Sequence, residues 1–231
     1  MKKSDLFVCV IVVLVLLPFF LFRFVTDGYM WMNGSHPYIM AFIKFAILAT
    51  FGEMLALRIR SGVYYKHDFG VLPKMVIWGF LGIWIAFAMK IFAAGVPMIV
   101  EKAGIDGLTA TMMNPSFSVW KLLGAFCISV MMNTSFAPVF MTLHKITDTH
   151  IQQYQGQLKS LIIPIKVKNI ISTLDWQRQW NFVFKKTIPL FWIPAHTLTF
   201  ILPTDFQVLF AALLSVALGL ILAFASLKTN D

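Results

Sequence analysis

The sequence predicts an all-α fold, a polytopic transmembrane helical bundle of about six spans. Three observations lead there. Hydrophobic residues fill 59% of the 231 positions and charged residues only 13%, whereas a soluble domain is about one quarter charged. So few charges cannot cover a water-facing surface, and lipid must be the main solvent. Apolar runs near the ~20 residues that one helix needs to cross hydrocarbon recur along the chain. Lys and Arg fall almost entirely in alternate connections between those runs, as the positive-inside rule requires.

The first run, 6–22, follows Lys2 and Lys3. It is longer than the apolar core of a signal peptide, contains Pro18, and lacks a small-x-small cleavage site, so an uncleaved span is expected. With the outer loop after it, this span makes an additional N-terminal segment over 1–35, ahead of the main helical membrane domain over 36–231. That domain supplies runs at 37–57, 75–96, 119–141, 187–202 and 206–227. The run at 187–202 is the weakest, being short and interrupted by Pro189 and Pro194. Such breakers are tolerated where protein or water satisfies the freed backbone groups.

With the amino terminus placed inside, fourteen Lys and Arg lie on that side and only Arg23 and Lys102 on the other; Lys44, Lys90 and Lys121 fall within spans. Both termini are therefore expected to be cytoplasmic, with an even number of crossings. The net charge of +9 then reflects topology and anionic lipids on the inside face of the bilayer. No basic-aromatic interleaving marks a nucleic-acid groove, and no nucleic-acid partner is expected. Cys9 and Cys127 sit in apolar runs and read as small hydrophobes rather than as a disulfide or a metal pair.

The one long inside loop is expected over 144–180. Within it Val167, Ile170, Ile171 and Leu174 recur at helical spacing, with Trp176 and Trp180 following. An amphipathic helix in the headgroup layer fits this pattern, and so does a helix packed under the bundle. In the last run Ala211, Ser215, Gly219 and Ala223 form a small-residue ridge of the kind that lets helices approach closely in lipid. Its neighbour lies within the chain or in a second copy, which leaves a homo-oligomer open.

A charge near mid-hydrocarbon costs at least about 2.5–3.5 kcal/mol, so the intramembrane polar residues are the functional candidates. Lys44 and Glu53 share the run 37–57, but nine positions at about 100° each put them on opposite faces. Lys44, Lys90, Lys121 and His196 fall in the outer halves of their spans. Lys44 is expected to line a water-filled path and Lys121 to snorkel, while Lys90 fits either role. A cationic ring of this kind favours anions. Glu53, Asn133, Thr134 and Ser135 lie toward the inner ends, with Pro138 nearby, and read equally as interhelical glue or as the lining of a vestibule. No zinc-protease, nucleophile-elbow, phosphate-loop or paired-cysteine motif is present. His144, Asp148 and His150 in HKITDTH read as a solvated helix end. No catalytic residue, metal or cofactor is expected, and the chain is not expected to be an enzyme.

Several short motifs carry a resemblance. His36-Pro37 opens an apolar helix with a Gly-acid pair, Gly52-Glu53; GFLG at 79–82 contributes Gly79 and Gly82. Phe136-Ala137-Pro138 follows Met132-Asn133, and a Trp-Pro signature is matched by Trp192, Pro194, His196, Thr199 and Phe200. These resemble the family of small peroxisomal and mitochondrial inner-membrane channel-like proteins that includes a mitochondrial protein needed for organelle DNA maintenance. The likeness runs from about His36 to Leu227. It departs at Glu53, Ala88-Met89, Met132, His196 and Thr199, where the family has Asp, Trp-Tyr, Asp, Gln and Asn. The resemblance implies a weakly selective pore, and adds Lys90 and Thr199 to the candidate lining, with Gly52, Gly79, Gly82 and Pro138 as packing positions. Combined with the cationic outer half, it makes the expected function a membrane channel or facilitator for small anionic metabolites. The alternatives are a non-transporting membrane scaffold or assembly factor and a membrane-embedded lipid-modifying enzyme. The host membrane is the cell (inner) membrane in a prokaryote and an organelle membrane otherwise.

Overall fold

A computed structural model describes residues 2–114 and 116–228. Every regular element among them is helical. The chain divides into two compact units, one ending at Met40 and the other starting at Ala41.

The first unit holds α1 (Lys3–Leu21) and α2 (Arg23–Ser35). No residue of α1 is buried, as suits a helix whose side chains meet lipid rather than protein. The expected outer loop is a correction: it is helical. Within it Thr26 Oγ1 donates to the Arg23 carbonyl at 2.7 Å, and Arg23 meets Asp27 one turn on at 3.7 Å. Pairs three and four apart support a short helix in this way despite its modest hydropathy.

The second unit contains most of α3 (Pro37–Ser61) and all of α4 (Val71–Lys102). Glycines set how closely they pack. A Cβ on Gly79 would stand 2.4 Å from the Phe42 ring, and one on Gly82 would stand 2.5 Å from Phe45. A short helix α5 (Leu108–Met113) leads into α6 (Val119–Ser135) and α7 (Ala137–Gln153), which meet at a bend of 47°. Pro138 in the first turn of α7 cannot donate to the carbonyl four residues back. Just before it, Thr134 Oγ1 bonds the Val130 carbonyl at 2.7 Å and Ser135 Oγ bonds that of Met131, and such back-bonding hydroxyls bend helices.

The expected inside loop is also corrected, because 144–153 is the end of α7. The rest carries a 3₁₀ turn, α8 (Val167–Thr173) and a single turn α9 (Trp176–Arg178). Of the four-residue stripe only Ile170 is fully buried; Val167 and Ile171 are exposed and Leu174 lies past the end of α8.

The run expected at 187–202 is two elements, a π-helix (Gln179–Trp192) and α10 (Ile193–Ile201). Pro189 has no N–H for an α-helical ladder, and the wider turn redistributes the bonds. The Ile193 N–H reaches Ile188, five residues back, and Thr187 Oγ1 reaches the Phe182 carbonyl over the same interval. Pi-turns are rare and tend to mark functional sites. Last comes α11 (Thr204–Lys228). A Cβ on Gly52 of α3 would come within 2.8 Å of Val216 Cα, and one on Gly219 within 3.1 Å of the Gly52 carbonyl. The small-residue ridge therefore meets a glycine of the same chain.

Four described helices are long and apolar enough to cross a membrane (α1, α3, α4 and the 204–221 part of α11), five if the bent α6–α7 pair is one span. Core side chains from α3, α4, α6, α10 and α11, among them Phe45, Leu81, Ile128, Phe200 and Ala212, hold the second unit together.

Candidate functional site

The helices of the second unit enclose a cavity of about 650 Å³. Its walls follow single helix faces. On α3 they are Phe45, Ala49, Glu53, Ala56 and Arg60; on α11, Ala211, Ser215, Gly219 and Ala223. Along the bent pair they are Met132, Phe136, Phe140, His144, Asp148 and Gln152, one residue every four. Residues three or four apart lie on one face, so each helix contributes one stripe. From Phe45 to Arg60 is fifteen residues, or about 22 Å at 1.5 Å per residue. The cavity is a shaft parallel to the helices.

Exposure changes along the shaft. Arg60, Lys66, Asp68 and Gln152 at one end are exposed, as is Lys145, whose long side chain starts one residue past His144, whereas Phe45, Asn133, Met132 and His196 at the other end are buried. The shaft thus has an open mouth at the basic end of the helices and a closed floor. Three cations against Asp68 make the mouth positive.

Two turns below the mouth an ionic tier crosses the shaft. Lys74 Nζ bonds Glu53 Oε2 at 2.5 Å and also bonds Asp148 Oδ1. The Trp78 indole N–H donates to Glu53 Oε1 at 2.7 Å, and His144 Nε2 lies 3.3 Å from that oxygen. Gln152 donates to Asp148 Oδ2 at 2.9 Å. Lys74 is 6% exposed at its side chain, so its charge depends on the two carboxylates. The His144 and Trp78 rings pack together at 4.4 Å. Three helices, α3, α4 and α7, are tied at this level.

The floor is polar but uncharged in kind. Asn133 Nδ2 donates to the Ser129 carbonyl at 2.8 Å. His196 Nδ1 faces the same amide, 3.0 Å from Asn133 Nδ2 and 3.1 Å from Oδ1, so the imidazole tautomer sets which of the two it bonds. Trp192 stacks on the His196 ring at 5.1 Å and 27°. Its buried Nε1 has no hydrogen-bond partner among the described residues.

The structure brings three of the candidate residues, Glu53, Asn133 and His196, to the shaft wall. Lys44, Lys90 and Thr199 are not among its lining. Lys44 is buried beside the field of Asp205, Lys90 is exposed, and Thr199 turns its hydroxyl back to the Ala195 carbonyl at 2.9 Å. Lys121 is buried and bonds the Asn114 carbonyl at 2.6 Å. HKITDTH divides: His144 and Asp148 turn to Glu53 and Lys74 in the tier, while His150 turns to the Ser160 carbonyl.

Sequence reasoning missed Lys74, Trp78, His144 and Asp148 as one group. A signal existed. Lys74 and Trp78 on α4, and His144 and Asp148 on α7, are i, i+4 pairs near the basic ends of their helices, the level at which α3 carries Glu53. No protein-family model, curated protein or solved structure matches the chain.

Proposed function

We propose that the protein is a membrane facilitator whose solute path is the shaft between α3, α4, the bent α6–α7 pair and α11. One observation carries this reading: a continuous cavity about 22 Å long, by the helical rise, open at a cationic mouth and sealed at a neutral floor. Hydrocarbon is about 30 Å thick, so the shaft covers most of a crossing and the Asn133–His196–Trp192 floor closes the remainder. Positive potential at the mouth raises the local concentration of anions. Passage requires the floor to part, and the π-helix joined to α10 at Trp192 is the element with unconventional backbone bonding beside it.

In the bilayer this reading has six crossings, the fifth made by the π-helix with α10. Both termini lie on the Lys/Arg-rich face, with α8 near the headgroups. The His-Pro, Gly-acid and Phe-Ala-Pro motifs support kinship with the small peroxisomal and mitochondrial inner-membrane channel-like proteins. Reporters fused to the two termini should read out on the same side.

The functional test is flux in proteoliposomes of purified protein. Small organic carboxylates should equilibrate faster than in empty vesicles, and Ala211→Phe, which fills the shaft from α11, should reduce that flux at least tenfold. Equal rates with and without the protein, in vesicles where it is folded, would overturn the proposal.

A further inference from the structure

The chemistry of the shaft narrows what it accepts. Below the ionic tier its walls are Phe45, Ala49, Ile85, Met132, Phe136 and Phe140, with no cation to hold a bare anion. Lys74 cannot serve, because its ammonium is already shared between Glu53 and Asp148. Within the tier one ammonium, that of Lys74, stands against the two carboxylates of Glu53 and Asp148. A compact hydrophilic anion entering this section would lose its hydration and gain no counter-charge, and burial of an unpaired ion is strongly unfavourable. Among the described lining residues, the cations without a carboxylate partner are Arg60, Lys66 and Lys145 at the mouth.

An anion-attracting rim above an apolar shaft matches a molecule built the same way. We infer that the shaft is a binding site for a single-chain amphiphilic anion, with its head at Arg60, Lys66 and Lys145 and its apolar chain beside Phe136 and Phe140. Its volume suits this. About 650 Å³ lies in the range of ligand pockets, and spread over about 22 Å it averages about 30 Å² in section, room for one extended chain. The neutral floor offers the chain end no charge to meet. This deepens the facilitator reading and rests on the same shaft, but it concerns binding and is measurable without transport.

The test uses the full chain in nanodiscs of zwitterionic lipid, with a terminally brominated dodecanoate as probe. Trp78 and Trp192 line the shaft, and bromine quenches indole fluorescence only near contact. Quenching should saturate at one probe per chain and be reversed by unlabelled dodecanoate at a concentration at least tenfold below that needed with butanoate, inorganic phosphate or dodecanol. A single-chain lysophosphatidate should compete as dodecanoate does if the head chemistry is any anion; competition by the two-chain phosphatidate at equal concentration would overturn the single-chain assignment. Arg60→Gln with Lys145→Gln, both at the exposed mouth, should weaken binding severalfold, while Lys90→Gln should not. Quenching that grows linearly with the probe, or equal competition by butanoate or phosphate, would overturn the inference. Saturable dodecanoate binding by a protein that supports no flux would sustain it and remove the facilitator reading; anion flux without dodecanoate binding would do the reverse.

Discussion

The two ends of the second unit handle buried charge in different ways. At the Lys74 end, one ammonium, two carboxylates, an indole and an imidazole from three helices complete one another across an open shaft. At the Lys121 end each lysine is accommodated separately: Lys121 by a backbone carbonyl, Lys90 at the surface, Lys44 near Asp205 and away from the shaft. Intramembrane charge therefore marks a site only where several charges share one space. The other lysines are met by local contacts or lie at the surface.

Breaking the tier should give the largest effect. Lys74→Met leaves two poorly hydrated carboxylates without their cation, and removing one partner of a buried pair costs about 3–5 kcal/mol. Denaturant unfolding in detergent should show that loss. Adding Glu53→Gln and Asp148→Asn to Lys74→Met should recover most of it, since the stranded charges are then gone. If the triple variant is as unstable as the single one, charge pairing is not what ties α3, α4 and α7 together.

Packing beside the tier comes next. Gly52→Ala places a methyl within 2.8 Å of the Val216 backbone, and overpacking of this sort costs about 1–3 kcal/mol. Gly219→Leu, on the facing ridge, should lower the yield of folded protein further. An unchanged melting temperature in both would mean that α3 and α11 can separate without cost.

The floor should be less sensitive. Asn133→Leu removes the hydrogen-bond partner of His196 Nδ1, and a buried polar group left unmet costs about 1–3 kcal/mol. Trp192→Phe keeps the stacked ring and gives up an N–H that has no partner, so its stability should match or exceed that of the wild type. Thermal unfolding of the two variants side by side separates hydrogen bonding from stacking.

The smallest effects belong to the Lys121 end. Lys90→Gln should change stability by no more than about 0.5 kcal/mol, as for most exposed substitutions. Lys44→Gln should leave the anion preference of flux unchanged, because its charge does not face the shaft. A shift of reversal potential toward cations in Lys44→Gln would break the comparison and return the solute path to the other half of the unit.

What the sequence determined by itself was the solvent and the repeat. So few charges over so many residues leave lipid as the partner of most side chains, and runs of about 20 apolar residues are helices because backbone groups in hydrocarbon must bond within their own segment. The small ridge at Ala211, Ser215, Gly219 and Ala223 was legible too, since a four-residue period needs only one helix to be seen. The partner of Glu53 was not. Lys74 stands 21 residues away and Asp148 a further 74, on helices whose rotation is set by packing, as where Gly52 meets Val216 and Gly79 meets Phe42. Pro189 announced a break, but only the bonds around it decided that the chain widens into a π-helix instead of ending. Charge counts assign residues to a side of the bilayer, whereas a site requires them to face one another, and facing is a property of helix pairs that no single segment contains.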